Sequence, residues 1–316
     1  MLIYRGIPAP NTPVALTIGN FDGLHLGHQA MLKRLTDAAR SLGLPACVMT
    51  FEPHPREYFA PEQAPARLSN LREKLELFEK FGVDRVFILR FNHRFAQVSA
   101  ENFIDRILCA GLKVRWLLVG DDFRFGAKRA GDFKMLQEAG LSNNFTTQAM
   151  ESVLVSGQRV SSTIVREALA NGDLALAERY LGRHYSISGK VVHGENLGRK
   201  LGFPTANIQM KHNKPPLSGI FAVEVYGLGD KPLQGAASLG VRPTINDKGK
   251  ATLEVFLFDF DGDIYNKHLH VDFLLKLRDE MKFPSLEALT AQIAADVENA
   301  KKFFLNRRGA ETQRTA

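Results

Sequence analysis

Only two of the 316 residues are cysteine and only one is tryptophan. Cys47 and Cys109 stand far apart and in no metal-ligand spacing, which excludes a disulfide framework and a cysteine-built metal site. A reducing, cytoplasmic setting is the expectation. No apolar run approaches the ~18 residues that a membrane span needs. The opening MLIYRGIPAPNTP lacks the basic-then-apolar profile of a signal peptide. A low-complexity linker and a fixed-period repeat are also missing. Hydrophobic residues make up 45% and charged residues 24%, the balance of an ordinary globular chain, and the length points to two domains.

What is present begins with positive charge: a net +7 and a pI near 9.4. That suits nucleic acid, a membrane surface or phosphorylated small molecules. The basic residues are dispersed, however, and no basic stripe is interleaved with aromatics as in single-strand binders. The expectation is a solvated surface with a few phosphate-binding groups, without nucleic-acid or membrane partners. No oligomeric state is assigned.

The first half alternates apolar β-like runs with helical periodicity. Val14–Ile18, Ala46–Phe51, Arg85–Leu89 and Trp116–Val119 read as strands. The segments 29–42, 71–81, 100–110 and 133–139 read as helices, and 163–170 and 174–181 close this half. Such alternation predicts an α/β domain, a Rossmann-like parallel sheet with helices on both faces, whose ligands bind beyond the carboxyl ends of the strands. Near Gly182–Tyr185 the pattern changes to short β runs punctuated by glycine and proline, ending in one helix over 286–304. That predicts an antiparallel β-barrel with a C-terminal helix, hence domains at 1–183 and 184–316.

After the first strand comes GNFDGLHLGH, residues 19–28. Gly19, Phe21, Asp22 and Gly27 belong to a glycine-rich strand-to-helix turn, where free N–H groups and the helix dipole hold phosphate. His25 and His28, three apart, share a face at the helix start and could stabilise charge on a transferring phosphoryl group. The same spacing also occurs in zinc pairs and among surface histidines. Phe51 and His54 lie in FEPHP after the second strand. Asp121, Asp122, Phe123 and Phe125 lie in GDDFRFG after the fourth, where the rings could stack on a flat ligand or belong to the core. Arg159, Ser161, Ser162, Thr163 and Arg166 open a helix; hydroxyls there are helix caps or, with the arginines, a triphosphate site.

In the second half, HGENLGRKLGFPTAN (193–207) sets Gly198, Arg199, Gly202 and Pro204 in a glycine-rich basic loop. It is a surface loop or a ligand site. If the chain is extended at Thr205–Asn207, the hydroxyl of Thr205 and the amide of Asn207 face one way, as hard ligands suited to Mg²⁺. Alternation in LEVFLF puts Glu254 among aromatics, as a base with a raised pKa or as a charge guarding a sheet edge. Asp259, Asp261 and Asp263 fail the calcium-loop pattern, and Asp261–Gly262 reads as a hairpin turn.

Taken together and in this order, GNFDGLHLGH, FEPHP, GDDFRFG and RVSSTIVR resemble the adenylyltransferase half of bacterial riboflavin kinase/FAD synthetases. ISGKVVHG, GRKLGFPTAN, SLGVRPT, LEVFLFDFDGDIY and LRDEMKFPSLEAL resemble the kinase half. The resemblance implies ATP-dependent phosphorylation of riboflavin to FMN and adenylylation of FMN to FAD, with Mg²⁺ as cofactor. It implies that His25 and His28 contact the ATP phosphates and that Ser162, Thr163 and Arg166 bind the triphosphate. Asp122, Phe125 and the Phe51–Pro55 loop would line the nucleotide and flavin sites. It also implies that Glu254 is the kinase base, that Thr205 and Asn207 hold the metal, and that Arg278 lies on a loop closing over the flavin. Where the family often has His two residues after this Glu, the chain has Phe256. The alternative expectation is a nucleic-acid-binding protein with a nucleotidyltransferase-like domain.

Overall fold

A computed structural model describes residues 1–8, 12–194, 198, 201–211, 214–241 and 251–315. The chain divides into two units, Met1–Pro65 with Ser69–Ser162, and Ala66–Leu68 with Thr163–Ala316.

In the first unit, the apolar runs carry hydrophobic residues at consecutive positions, and a strand of that kind must be covered on both faces. The structure covers both. Strands β1 (Leu2–Arg5), β2 (Val14–Ile18), β3 (Ala46–Glu52), β4 (Arg85–Arg90), β5 (Val114–Gly120) and β6 (Thr146–Met150) form one sheet in the order β1-β4-β3-β2-β5-β6. Every pairing is parallel. On one face Ala15, Val48, Val86 and Ile88 meet Leu32 and Leu35 of α1 (Leu26–Leu42). The same layer takes in Phe78 of α3 (Leu71–Lys80), which the short α2 (Pro55–Phe59) precedes in the chain. On the other face Leu16, Met49, Phe87 and Leu117 meet Phe103, Ile107 and Leu136. These come from the segment after α4 (His93–Ala96) and α5 (Ala100–Asn102), and from α6 (Phe133–Asn143). The helix expected over 100–110 is present, but from Phe103 to Gly111 its turns are π-helical. Because β2 lies between β3 and β5, the strand order reverses there, and a crevice opens beyond the carboxyl ends of β2 and β5.

A small hairpin, β7 (Leu154–Val155) and β8 (Gln158–Arg159), leads to α7 (Ser162–Ala170) and α8 (Leu174–Leu181). Both helices belong to the second unit from Thr163 onward, and α8 packs on β9 and β14 of its barrel. The change of pattern near Gly182–Tyr185 coincides with the first residue of that barrel.

The barrel is closed and wholly antiparallel. Its strands are β9 (Tyr185–Val192), β10 (Thr205–Gln209), β11 (Gly219–Tyr226), β12 (Leu233–Val241), β13 (Ala251–Leu257) and β14 (His268–Arg278), in the order β10-β13-β12-β11-β14-β9 with β9 closing on β10. Period-two alternation drives it: Leu253, Val255 and Leu257 are buried while Glu254 and Phe256 are half-buried on the opposite side. Outside, α9 (Leu286–Thr315) lays Val297, Ala300 and Phe304 on Ala222, Ala236 and Phe258. The hairpin expected at Asp261–Gly262 is not one. β13 and β14 are not neighbours, so this segment is a crossing loop, whose turn-forming composition says nothing of which strands pair.

Candidate active sites

The turn after β2 is built by contacts from distant segments. The carboxylate of Asp22, itself buried, accepts hydrogen bonds from the Ser69 backbone N–H at 3.1 Å and hydroxyl at 3.5 Å. Ser69 Oγ in turn accepts from Gly23 N–H at 2.9 Å. Phe21 is fully buried against Phe78, edge to face at 5.3 Å, and lies 5.1 Å from the His28 ring. These two sequence candidates therefore shape the turn from beneath. Above them, His25 caps α1: its Nδ1 accepts from the His28 backbone N–H at 3.4 Å, which leaves the ring's other nitrogen as the N–H donor. The two imidazoles stack at 3.7 Å, 20° from parallel. Gly27 leaves room beside them, since a Cβ there would stand 3.2 Å from the His25 ring. Burial first, then the neighbouring His25 and Lys74, pushes the His28 pKa well below the usual histidine range, so its ring is neutral at physiological pH. Its Nδ1 is buried with no hydrogen-bond partner among the described residues, as is Oδ1 of Asn20.

Lys74, which is not among the sequence candidates, borders the same turn. It lies on α3, is 3% exposed, and its ammonium donates to the Asn20 carbonyl at 3.4 Å. A buried cation here adds to the positive potential of the α1 N-terminus. Its only sequence signal is a lysine three places before Leu77 and one before Leu75, on the apolar side of an amphipathic helix.

Beyond the same strand ends lies a cavity of about 970 Å³, reaching from Gly19 and Asn20 to Phe123. Phe51, Phe59, Phe91, Phe95 and Phe123 line it. Phe51 meets Phe91 edge to face at 6.0 Å and Phe95 at 5.6 Å. Phe123 stacks on Phe125 at 5.8 Å, and Phe125 is 6% exposed and packed in the core. Of the two rings in GDDFRFG, then, Phe123 is the freer to meet a ligand. His54 lines the cavity while its Nδ1 caps α2, accepting from Arg56 N–H at 3.1 Å. Phe59, Phe91 and Phe95 were not among the sequence candidates, because a phenylalanine next to a strand reads as core. Asp122 also lines the cavity. Arg159 joins it to Asp121, with Nη2 at 3.0 Å from Asp121 and 3.2 Å from Asp122. Ser162 Oγ donates to the Asp22 carbonyl at 2.9 Å, which ties the start of α7 to the turn below the histidines. Ser161 is half-buried beside it. In the second unit, Thr163 is exposed, and Arg166 Nε donates to the Ala66 carbonyl at 2.6 Å.

The second unit gathers its candidates on the outer face of the barrel. In the β10–β13 pairing, Asn207 stands opposite Glu254 and Thr205 opposite Phe256, so all four side chains share one side of the sheet. Thr205 Oγ1 donates to Glu254 Oε2 at 3.3 Å. Phe203 packs edge to face on Phe256 at 5.5 Å. A Cβ on Gly194 would overlap the Asn207 amide, and one on Gly198 would meet the Phe203 carbonyl and approach Thr205 Oγ1 to 3.1 Å. Gly202 sits at φ +87, a left-handed backbone that suits glycine, and precedes Phe203-Pro204. Arg199 lies outside the described residues. Hydroxyl, amide and carboxylate oxygens under a close glycine backbone fit Mg²⁺ shared with phosphates. Arg278 ends β14. Its guanidinium is bound to Asp296 of α9 at 2.6–3.1 Å and donates to the Asp279 carbonyl at 2.9 Å, with the Phe283 ring 5.7 Å away. It thus fastens the last helix to the barrel.

Comparison with known proteins finds a match in each half of the chain. Residues 7–164 match the family model of FAD synthetase, and residues 181–304 match that of riboflavin kinase. Proteins described as bifunctional riboflavin kinase/FMN adenylyltransferase are similar along nearly the whole chain. That of Escherichia coli K12 is 49% identical over 96% of this chain and 98% of its own. That of Pseudomonas fluorescens is 53% identical over 90% and 91%, and that of Haemophilus influenzae 48% over 96% and 99%. Among solved structures, a Streptococcus pneumoniae chain described as a macrolide-efflux protein superposes with a TM-score of 0.78 at 28% identity, over 93% of this chain and 96% of that one.

Proposed function

The chain belongs to the family of bifunctional riboflavin kinases/FMN adenylyltransferases, and from that premise we propose which residues carry each step. It phosphorylates riboflavin to FMN, then transfers AMP from ATP to FMN, giving FAD and pyrophosphate. We assign adenylylation to residues 1–183 and phosphorylation to residues 184–316.

In the kinase step Glu254 takes the proton of the ribityl 5′-hydroxyl. That oxygen attacks the γ-phosphorus, the bond to the bridging oxygen breaks, and ADP leaves. Thr205 orients the carboxylate through its hydrogen bond. General-base help of this kind is worth ~10²–10⁴ in rate. Thr205 and Asn207 would hold Mg²⁺, which offsets charge on the ATP phosphates when bound. Gly194 and Gly198 leave room for those phosphates against the two side chains.

In the adenylylation step the α1 N-terminus, with Gly27, His25 and His28, takes the ATP phosphates as N–H donors. Ser161 and Ser162 take the remainder of the triphosphate. An FMN phosphate oxygen attacks the α-phosphorus and pyrophosphate departs with the bonding electrons, with no covalent enzyme intermediate. The flavin ring occupies the phenylalanine-lined cavity, with Asp122 and Arg159 beside it. We also take the positive charge to serve these phosphates and not nucleic acid. We place the protein in the cytoplasm, where its free cysteines stay reduced. Among the described residues no helix is long and apolar enough to cross a membrane.

The observation that carries the reading is the register that sets Asn207 across from Glu254, with Thr205 bonded to the same carboxylate. The test is one incubation of purified protein with riboflavin, ATP and Mg²⁺, separating flavins over time. FMN appearing before FAD supports it. FMN without FAD removes the roles given to the first unit, and no conversion removes both.

A further inference from the structure

The phenylalanine-lined cavity has a second, charged character. Arg56, Lys128 and Arg129 line it, and among the described residues none of the three forms an ion pair. Their neighbour Arg124 is neutralised by Asp132 at 2.9 Å, and the cavity's own carboxylate, Asp122, is held by Arg159. The lining is therefore left with uncompensated positive charge.

Lys128 and Arg129 are consecutive and both left-handed, at φ 55 and φ 60, a backbone that side chains of this size rarely adopt. The surrounding structure holds them there. Gly126 is backed against Ala100, where a Cβ would stand 2.7 Å from its nitrogen, and Ala127 N–H donates to the Val98 carbonyl at 2.7 Å. Phe125 and Gly131 exchange backbone hydrogen bonds at 3.1 and 2.9 Å, closing the turn. Residues kept in such conformations cluster at ligand clamps.

A cavity with aromatic walls and unpaired cations fits a flat apolar ring that carries an anion. We infer that Lys128 and Arg129, with Arg56 on α2, read the 5′-phosphate of the flavin and so make the first unit select FMN over riboflavin. This rests on the assignment of FMN adenylylation to that unit. The ring alone would engage the phenylalanines and gain nothing from the cations. The phosphate would supply the charge-assisted bonds they lack.

The test uses the full chain carrying Lys128→Met and Arg129→Met together. KM for FMN in FAD formation is measured beside the Ki of riboflavin as a competitor, both in a Glu254→Gln background that leaves riboflavin unphosphorylated. With Glu254 intact, the rate of FMN formation from riboflavin reports on the other unit. The expected result is a KM for FMN raised about tenfold or more, a riboflavin Ki within about twofold of the parent, and unchanged FMN formation. A charge-keeping exchange, Lys128→Arg with Arg129→Lys, should restore KM to within about threefold. An unchanged KM overturns the inference. So does a KM and Ki that rise together, since that would place the pair in the packing of the ring pocket. Should the double variant make no FAD at all, Arg56→Met on its separate helix decides: an unchanged KM for FMN there also overturns it. Failure of the parent protein to make FAD would instead remove the assignment of the step, which separates the two failures.

Discussion

The first unit sets its candidate groups on loops and helix ends, and the second sets its own on strand faces. In the first, the turn at residues 19–28 is held by Ser69, Ser162 and Lys74, each far away in sequence. In the second, Thr205, Asn207 and Glu254 are placed by the pairing of β10 with β13. A loop-built site depends on many separate contacts and can be adjusted one contact at a time. A register-built site is set as a block, because a one-residue slip would turn all its side chains to the other face. Two sites built in these two ways are expected to have independent sensitivities.

The sharpest separation should come from Glu254→Gln. FMN formation should fall by up to ~10⁴ while conversion of supplied FMN to FAD stays intact, both read by chromatography; a loss of both would unite the sites. His28→Asn should do the converse, lowering FAD formation by ~10²–10³ with FMN accumulating. Undiminished FAD synthesis would discard the histidine's role. Gly198→Ala forces a Cβ toward the Phe203 carbonyl and Thr205. The kinase step alone should slow by about 10², the cost of a misplaced reacting group; equal slowing of both steps would deny the register its local character.

The smallest effect concerns pH. His28 has a folded pKa depressed from 6.5 by burial, so the unfolded chain binds the proton more readily than the native one. Native stability is then unaffected above 6.5 and declines as pH falls from 6.5 toward the depressed value. Thermal melts between pH 7 and 5 should show a shallower decline in His28→Asn than in the parent. Identical slopes would mean that the ring is not held neutral.

Much of this was legible in the amino-acid sequence, and the gaps have physical causes. β2, β3, β4 and β5 announce themselves because they are buried on both faces. The edge strands β1 and β6 do not: β1 is short, with Leu2 and Ile3 exposed, and β6 is mostly polar, with no fully buried residue. Alternation placed Glu254 correctly on the aromatic side of β13, but nothing in the sequence says that β13 pairs with β10 instead of β14. The histidine pair was readable from its turn. Lys74 was not, because a lysine on an amphipathic helix looks like solvent-facing charge until its neighbours are known. Asp22 and Arg278 teach the same lesson in reverse: both read as ligand contacts, and both have partners, Ser69 and Asp296, that only the folded chain supplies.

Closure of the barrel by β9 against β14 sets an order of synthesis. Lys190 pairs with His268 and Tyr185 with Phe273, so the first barrel strand to leave a ribosome must wait for the last before its edge is covered. The parallel sheet is complete by Met150, long before then. Domains generally fold in the order in which they emerge. The half that performs the second reaction is therefore able to fold first, and the half that performs the first reaction folds last. A nascent chain stopped short of β14 would hold a finished sheet for making FAD and no barrel for making the FMN it consumes.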